Sequence, residues 1–596
     1  LFIYHCEGDD PPFMHDGVLR TMTYGEVGRR VKNAGMGLLA LGAKKDDVIS
    51  IMSTTRPEWV IADLALYSIG GRTGTIYPNN LPEVAHYILG DLGSCFLFVE
   101  GKARRDGILA LRDKNPQLKK IITIGCDGGD DPLCMSFEEL LELGEANSAQ
   151  YSGAFEDAVE AGKLTDIATY IYTSGTTGVP KGAVHRHESL MYTVATCAEW
   201  FPAEPGYIDL SFLPMAHIFE QFAGAFLDIY RGDTTVAFAR SMETVAADIG
   251  IIKPHFSRSA PRFFEKVYSL IWSKAEQLTG LSSEQFKQAL AVAKRVRVDG
   301  ELGGKAVSDS DRQLLERYDA ENFSRVRKLV LGGNLRFFVA GGAPFSKEIN
   351  EFFWSIGLPI YELYGMTETG PATTNYPGFV KPGTVGKNWP GEKWPGGGGE
   401  TKVSAEGEIL MRGPNVMIEY HNKPEETAEA IRDGWMHSGD IAEVDTDGFY
   451  KITDRIKDII ITAGGKNVAP IMIEGFLKEA PLISQAVVYG DRKKYLTALI
   501  TLDQAELARV AGLLGIRDGL SYQELCAHPK IRDVVKEIVA EKNKKLASFE
   551  SVKDFAILDR DFTIQEGYLT PTMKIKRRKI YHDYGGILDA LYPQEG

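Results

Sequence analysis

The chain has no apolar run near the roughly 18 residues that a membrane-spanning helix needs, and no C-x-x-C pair. Its six cysteines (Cys6, Cys95, Cys126, Cys134, Cys197 and Cys526) are scattered. That spacing argues against a disulfide framework or a zinc knot and predicts reduced thiols in a cytoplasmic protein. Positive charge is short as well: 67 Lys and Arg face 81 Asp and Glu, a net charge of −14. Such a balance weighs against a general nucleic-acid surface. The chain opens Leu1-Phe-Ile-Tyr-His5 without a Met, so the natural start is expected upstream, and no signal peptide can be read near this end of the chain. No internal repeat is visible.

What is present is a long chain of ordinary globular composition, 596 residues with 44% apolar and 25% charged side chains. That length exceeds one ordinary domain. Strand-like and helix-like segments alternate through the first 380 or so residues, predicting an α/β architecture. One unit reads clearly. Leu335–Val339 is a short apolar strand, followed by the turn Gly341-Gly342-Ala343-Pro344. Ser346 can cap a helix whose apolar residues Ile349, Phe352, Phe353 and Ile356 fall on one face. Gly357 closes that helix, and Pro359–Leu363 returns as a strand leading into Tyr364-Gly365-Met366-Thr367-Glu368. Ligands in open α/β sheets usually bind at such carboxyl ends. Ser273–Arg327 is charged and helical in pattern and reads as an insertion outside the core. Trp389–Glu400 is a Gly/Pro-rich irregular turn. Short strands from Val403 suggest a small β-barrel, and a final module of about 140 residues comes after Asp454, a plausible domain size.

The most informative segment is Tyr172-Thr173-Ser174-Gly175-Thr176-Thr177-Gly178-Val179-Pro180-Lys181-Gly182. Four hydroxyls, flexible glycines and one lysine suit a polyphosphate, because glycine lets backbone N–H groups close around an anion. The spacing does not fit the Walker A pattern. Tyr364 offers an aromatic face for a purine, Gly365 allows close approach, and Glu368 is a carboxylate of the kind that holds Mg²⁺ beside phosphates. Lys574-Ile-Lys576-Arg577-Arg578 taken alone is a basic surface patch for nucleic acid or anionic lipid. Net acidity and the lack of interleaved aromatics weigh against nucleic acid.

The Thr173–Lys181 loop resembles the phosphate loop of the adenylate-forming enzymes, which include acyl-CoA synthetases, luciferases and adenylation domains. The resemblance runs from about Met22 to Ile580, with five motifs in the expected order. It implies a large N-terminal domain of α/β sheet subdomains plus a small β-barrel over 1–454. A hinge at 455–458, centred on Lys457, and a small mobile α+β C-terminal domain over 459–596 complete the architecture. It implies ATP, Mg²⁺ and CoA as cofactor and co-substrates. Thr173, Ser174, Gly175, Thr176, Thr177, Gly178 and Lys181 would hold phosphates, and Thr176 would join Glu368 at the magnesium. Tyr364 would stack on adenine, with Gly341, Gly342 and Ala343 at its edge and Gly365 beside it. Thr367 would touch the α-phosphate, and Asp440, in His437-Ser438-Gly439-Asp440, would take the ribose with Arg455. Lys574 would reach the reacting oxygens, and His217 would lie near the acyl and thiol sites. A neutral, hydrogen-bonded core histidine is the competing reading of His217. Gly464 and Lys466 would border the thiol channel.

Arg56-Pro57-Glu58-Trp59, Pro261–Tyr268, the helical segment after it and Gly464–Pro470 are similar to the long-chain fatty acyl-CoA synthetase branch. Two departures from the wider superfamily, Lys457 in place of Asp and Thr572-Met573-Lys574 in place of Ser-Gly-Lys, also resemble that branch. A third departure is Arg186, which stands where Ser or Thr commonly precedes the family histidine, here His187, and bears on the loop's exit and not on the phosphate site. The implied activity is ATP-dependent ligation of a long-chain fatty acid to CoA through acyl-AMP. A fatty acyl-AMP ligase feeding a carrier protein and a non-catalytic nucleotide-binding module are the alternatives. Fatty acid, ATP and CoA are the expected partners, with no nucleic acid; the resemblance leaves room for peripheral contact on the inner face of a membrane and for a homodimer.

Overall fold

The computed structural model describes residues 1–596 except 7, 8, 10–12, 16, 17, 174–178, 202, 389–393, 395, 396, 518, 564, 571–573 and 594–596. Two large sheets organise the first 390 residues. The seven-stranded sheet runs in the order Lys181–Arg186, Ile167–Thr173, Arg72–Ile76, Val48–Met52, Phe96–Glu100, Lys120–Ile124 and Cys134–Ser136. Its inner strands are parallel, and Val-Ile-Ser-Ile-Met and Phe-Leu-Phe-Val-Glu are almost wholly buried. Near-continuous apolar runs are what a sheet covered on both faces requires. The edge is an antiparallel hairpin that sets Thr173 opposite Lys181.

The nine-stranded sheet has a parallel centre of Thr235–Phe238, Ile208–Ser211, Phe256–Ser259, Phe337–Ala340 and Ile360–Met366. Ala340 pairs with Glu362, so the turns after both strands emerge side by side. The helix between them, Lys347–Ser355, begins with the Ser346 hydroxyl accepting from Ile349 N–H, and Gly357 comes after it at φ +77°. The first strand lies slightly later than the apolar run suggested, at Phe337–Ala340. The second continues past Leu363 to Met366 and turns back into Gly370–Thr374, with an irregularity between Tyr364 and Gly365. Gly365 is obligatory there, because a Cβ would lie 2.1 Å from the Gly370 carbonyl oxygen.

Ser273–Arg327 is helical, as its pattern suggested, but it is not outside the core. Phe286, Ala289, Val292, Phe323 and Val326 are buried in the main hydrophobic cluster. Phe286 meets Phe352 edge-on at 6.4 Å. The charges that suggested an insertion line the solvent side of helices whose other face is apolar.

Beyond Glu400 the strands Glu400–Val403, Glu408–Arg412, Ile431–Arg432, Trp435–Val444 and Tyr450–Arg455 form an antiparallel sheet over Ile409, Met411, Met417 and Met436. Residues from Ile460 onward build cores of their own, in which Ile483–Tyr489, Leu496–Leu502 and Val552–Ile557 pack with Pro470–Lys478 and Pro529–Asn543. Among the described residues no helix is long and apolar enough to cross a membrane.

Candidate active site

The strand Ile360–Met366, through Tyr364, and the strand pair Trp435–Val444/Tyr450–Arg455 converge on one carboxylate. Asp440 Oδ2 accepts from the Tyr364 hydroxyl at 2.7 Å, and Oδ1 accepts from Arg455 Nε at 2.8 Å. Asp440 and Arg455 are direct cross-strand neighbours, so the sheet register places guanidinium and carboxylate together. Glu408 holds the approach to Asp440. Its Oε2 lies 2.7 Å from His437 Nδ1 and its Oε1 accepts from Gly439 N–H at 2.8 Å. Burial and then the adjacent Asp440 push the Tyr364 phenol well above its usual range. For Arg455, burial lowers the guanidinium value, but Asp440 outweighs it and the net shift is upward. A carboxylate has about four lone-pair positions, so Asp440 keeps acceptor capacity for two hydroxyls while its orientation is fixed.

A second cluster surrounds Glu368, which is 8% exposed. Glu368 Oε1 accepts from the Tyr420 hydroxyl at 2.5 Å. The Lys181 ammonium stands 5.3 Å from the Tyr420 ring centroid and 3.9 Å from Glu426 Oε1. Thr173, half-buried, lies directly across the hairpin from Lys181. Ser174, Gly175, Thr176, Thr177 and Gly178 lie outside the described residues. The carbonyl of Thr367 accepts from His185 Nε2 at 2.7 Å. His185 is fully buried, and burial lowers its value to about 4. It is therefore neutral, and it ties the strand that begins at Lys181 to the turn that carries Thr367 and Glu368.

Lys574 comes from the far end of the chain. Its backbone is held by Thr570, whose Oγ1 accepts from Lys574 N–H at 3.0 Å and whose N–H donates to the Lys574 carbonyl at 2.8 Å. By surface area Lys574 is exposed, although many protein atoms lie around its ammonium. Burial first and Arg455 second lower its ammonium value, while Asp440 and Glu368 oppose them. The same lysine acts on His217, whose value falls to about 3 through burial and then through Lys574. His217 also caps the helix Ile218–Ala223, with Nδ1 accepting from Phe219 N–H at 3.2 Å. His217 is thus a neutral helix cap lying within the field of Lys574.

Gly341 is buried against Leu363, where a Cβ would sit 2.6 Å from Cδ1, and Gly342 adopts φ +83°. At the carboxyl end of their strand Gly342 is half-buried and Ala343 is exposed. Gly464 and Lys466 do not join the cluster. Among the described residues, Lys466 interacts with Thr462 and with the Phe549 ring, inside the C-terminal part. Tyr420, Glu408, Glu426 and His185 escaped the sequence reading. Each acts through a neighbour distant in sequence, and no local pattern marks them.

Among the described residues no group of three or more His, Cys, Asp or Glu is arranged to hold a metal. Glu368 supplies one carboxylate, which fits magnesium in its usual phosphate-borne form and not a resident ion in a protein cage.

A family described as AMP-binding enzyme matches residues 7–421, and its C-terminal domain matches residues 457–596. The long-chain-fatty-acid–CoA ligase FadD15 of Mycobacterium tuberculosis is 34% identical, over 100% of this chain and 96% of its own length. The long-chain-fatty-acid–CoA ligase ACSBG2 of Xenopus laevis is 30% identical, over 96% of this chain and 80% of its own. In fold, the chain is similar to the anthranilate CoA ligase AuaEII in complex with anthranoyl-AMP, with TM-score 0.70 and 20% identity over 95% and 93% of the two chains. It is similar also to ATP-bound MatB from Rhodopseudomonas palustris, with TM-score 0.67 and 20% identity over 96% and 95%. With the family matched along both parts of the chain and full-length relatives at this identity, the protein belongs to the AMP-binding, adenylate-forming enzymes, in the long-chain acyl-CoA synthetase branch.

Proposed function

We propose that the protein is an ATP-dependent fatty acid–CoA ligase. It joins a long-chain fatty acid to AMP with release of pyrophosphate, then transfers the acyl group to CoA with release of AMP. The observation that carries this reading is the convergence of Asp440, Tyr364, Arg455, Glu368 and Lys574 from separate segments of the chain. Relatives named long-chain-fatty-acid–CoA ligases over the whole chain support the acyl class.

The nucleophile is a carboxylate that is already ionised, so the site needs no strong base. It needs charge neutralisation and in-line placement. In the proposed arrangement Asp440 and Arg455 take the ribose, and Tyr364, its hydroxyl anchored on Asp440, turns its ring to adenine beside Gly341, Gly342, Ala343 and Gly365. Lys181, Thr173 and the loop 174–178 hold the outer phosphates, the Thr367 hydroxyl meets the α-phosphate, and Lys574 neutralises the crowded oxygens. Glu368, with Thr176, would hold magnesium carried on the nucleotide, and the ion would supply further neutralisation. Domains 1–454 and 459–596 then swing about the hinge at 455–458, withdrawing Lys574 and bringing Gly464 and Lys466 to the thiol path near neutral His217.

A pyrophosphate-release assay over carboxylates from acetate to oleate, with and without CoA, tests the reading. Each buried CH₂ contributes about 0.8 kcal/mol, so rates should climb with chain length, and AMP release should require CoA. Acetate or an aryl acid outperforming every longer chain would exclude the fatty-acid assignment. AMP release indifferent to CoA would exclude the ligase.

A further inference from the structure

Residues 417–421 cross the gap between the two halves of the proposed phosphate site. Met417 N–H donates to the Glu368 carbonyl at 2.7 Å, and Ile418 N–H to the Val184 carbonyl at 2.9 Å. Val184 N–H donates to the Glu419 carbonyl at 3.0 Å, and His421 N–H to the Gly182 carbonyl at 2.8 Å. Tyr420 faces Ala183 in the resulting bridge. Its backbone is therefore fixed both to the strand beginning at Lys181 and to the turn bearing Glu368. The side chain makes the same two connections, with its hydroxyl on Glu368 Oε1 at 2.5 Å and its ring face 5.3 Å from the Lys181 ammonium.

Glu368 stands in a site that also holds Lys181, Lys574 and Arg455. An unrestrained carboxylate there is drawn to those cations, and a direct pair would block both the metal position and the phosphate position. A phenol answers this without adding charge: it satisfies one oxygen, and among the described residues Glu368 Oε2 keeps no hydrogen-bond partner. We infer that Tyr420 is a positioning residue for nucleotide binding: it holds Glu368 off Lys181, with one oxygen free for a phosphate-borne divalent cation, while its ring keeps Lys181 on the phosphate side. The inference rests on the reading of Glu368 as the magnesium carboxylate.

The test is a double-variant cycle with Tyr420→Phe, Glu368→Gln and both together. ATP binding to the intact protein is measured by titration calorimetry in Mg²⁺ and in EDTA, alongside kcat and KM. Tyr420→Phe keeps the ring and should weaken MgATP binding about tenfold, the scale of a lost hydrogen bond to a charged group, chiefly through KM. In the Glu368→Gln background the same change should cost roughly twofold or less, because no charge remains to be misplaced. Tyr420→Leu should weaken ATP further in both backgrounds by removing the face that holds Lys181. Equal losses from Tyr420→Phe in the two backgrounds, or none in the parent, would overturn the role of Tyr420. If Glu368→Gln leaves the magnesium dependence of ATP binding untouched, the reading of Glu368 itself fails, and the inference with it.

Discussion

At the scale of single residues, the site separates groups that must carry charge from groups that must not. Lys574 stands where Arg455 disfavours and Asp440 and Glu368 favour its ammonium, a balance suited to a cation that arrives for one step and then leaves. Lys574→Ala should reduce adenylation by ~10²-fold or more, the usual scale for removing a charge that stabilises a transition state. Thioester formation from supplied acyl-AMP should be largely spared, and equal loss in both half-reactions would mark the lysine as structural. His217, at about 3, is neutral across any ordinary assay. Its folded value lies below the ordinary imidazole value of 6.5, so its contribution to stability is complete above that ordinary value and lost as pH falls towards 3. His217→Asn, which can still cap the helix, should therefore leave the shape of the kcat/KM profile between about pH 5 and 8 unchanged. Disappearance of an inflection in that window would show that the imidazole titrates during catalysis.

At the scale of elements, the strand Ile360–Met366 that delivers Tyr364 carries a buried acid just behind it. Glu362 is 5% exposed, and its Oε1 accepts from Asn350 Nδ2 at 2.5 Å and from Gly383 N–H at 3.3 Å. Burial raises its value from 4.5 to about 8, so the folded protein favours the protonated form. The stability this gives is full below the ordinary carboxylate value and is lost as pH rises through about 8. Melting temperature should therefore fall as pH rises from about 5 to 8, and Glu362→Gln, which mimics the neutral acid, should remove that part of the fall. Parallel curves for the two proteins would mean that the loss arises elsewhere.

At the scale of the whole molecule, the position of Lys574 depends on how the C-terminal part sits on the rest. Arg262, in the helix Pro261–Ser273, donates to the Ser484 carbonyl at 2.9 Å and to its hydroxyl at 2.6 Å. Lys478 lies 3.2 Å from Glu265, and the Ser346 hydroxyl donates to Glu479 at 3.0 Å. These bonds belong to the arrangement that brings Lys574 to Asp440 and Glu368. Arg262→Ala should slow adenylation more than thioester formation in half-reaction assays; the opposite bias would mean that the contact serves another arrangement. Lys457, exposed in the turn after Arg455, is the proposed pivot. Lys457→Pro fixes φ near −65° and restricts Ile456. It should leave one burst of pyrophosphate and enzyme-bound acyl-AMP while CoA transfer stops. Turnover with CoA at the parent rate would remove Lys457 from that role.

The sequence by itself determined what is local: the α/β alternation, the Ser346-capped helix and the hydroxyl- and glycine-rich hairpin with its lysine. The order of the motifs, and with it the family, was legible for the same reason. Capping, periodicity and glycine at a tight turn act over a few residues and leave their mark there. Only the tertiary structure decided the rest. Register brought Asp440 beside Arg455, Glu408 reached across 31 residues to Gly439, and Tyr420 crossed 52 to Glu368. Ser273–Arg327 looked peripheral because its charges are visible in sequence, whereas the partners that bury Phe286 and Phe323 are not. Carboxylates and phenols take their function from what faces them, and in this chain the facing groups arrive from strands and turns that only folding brings together.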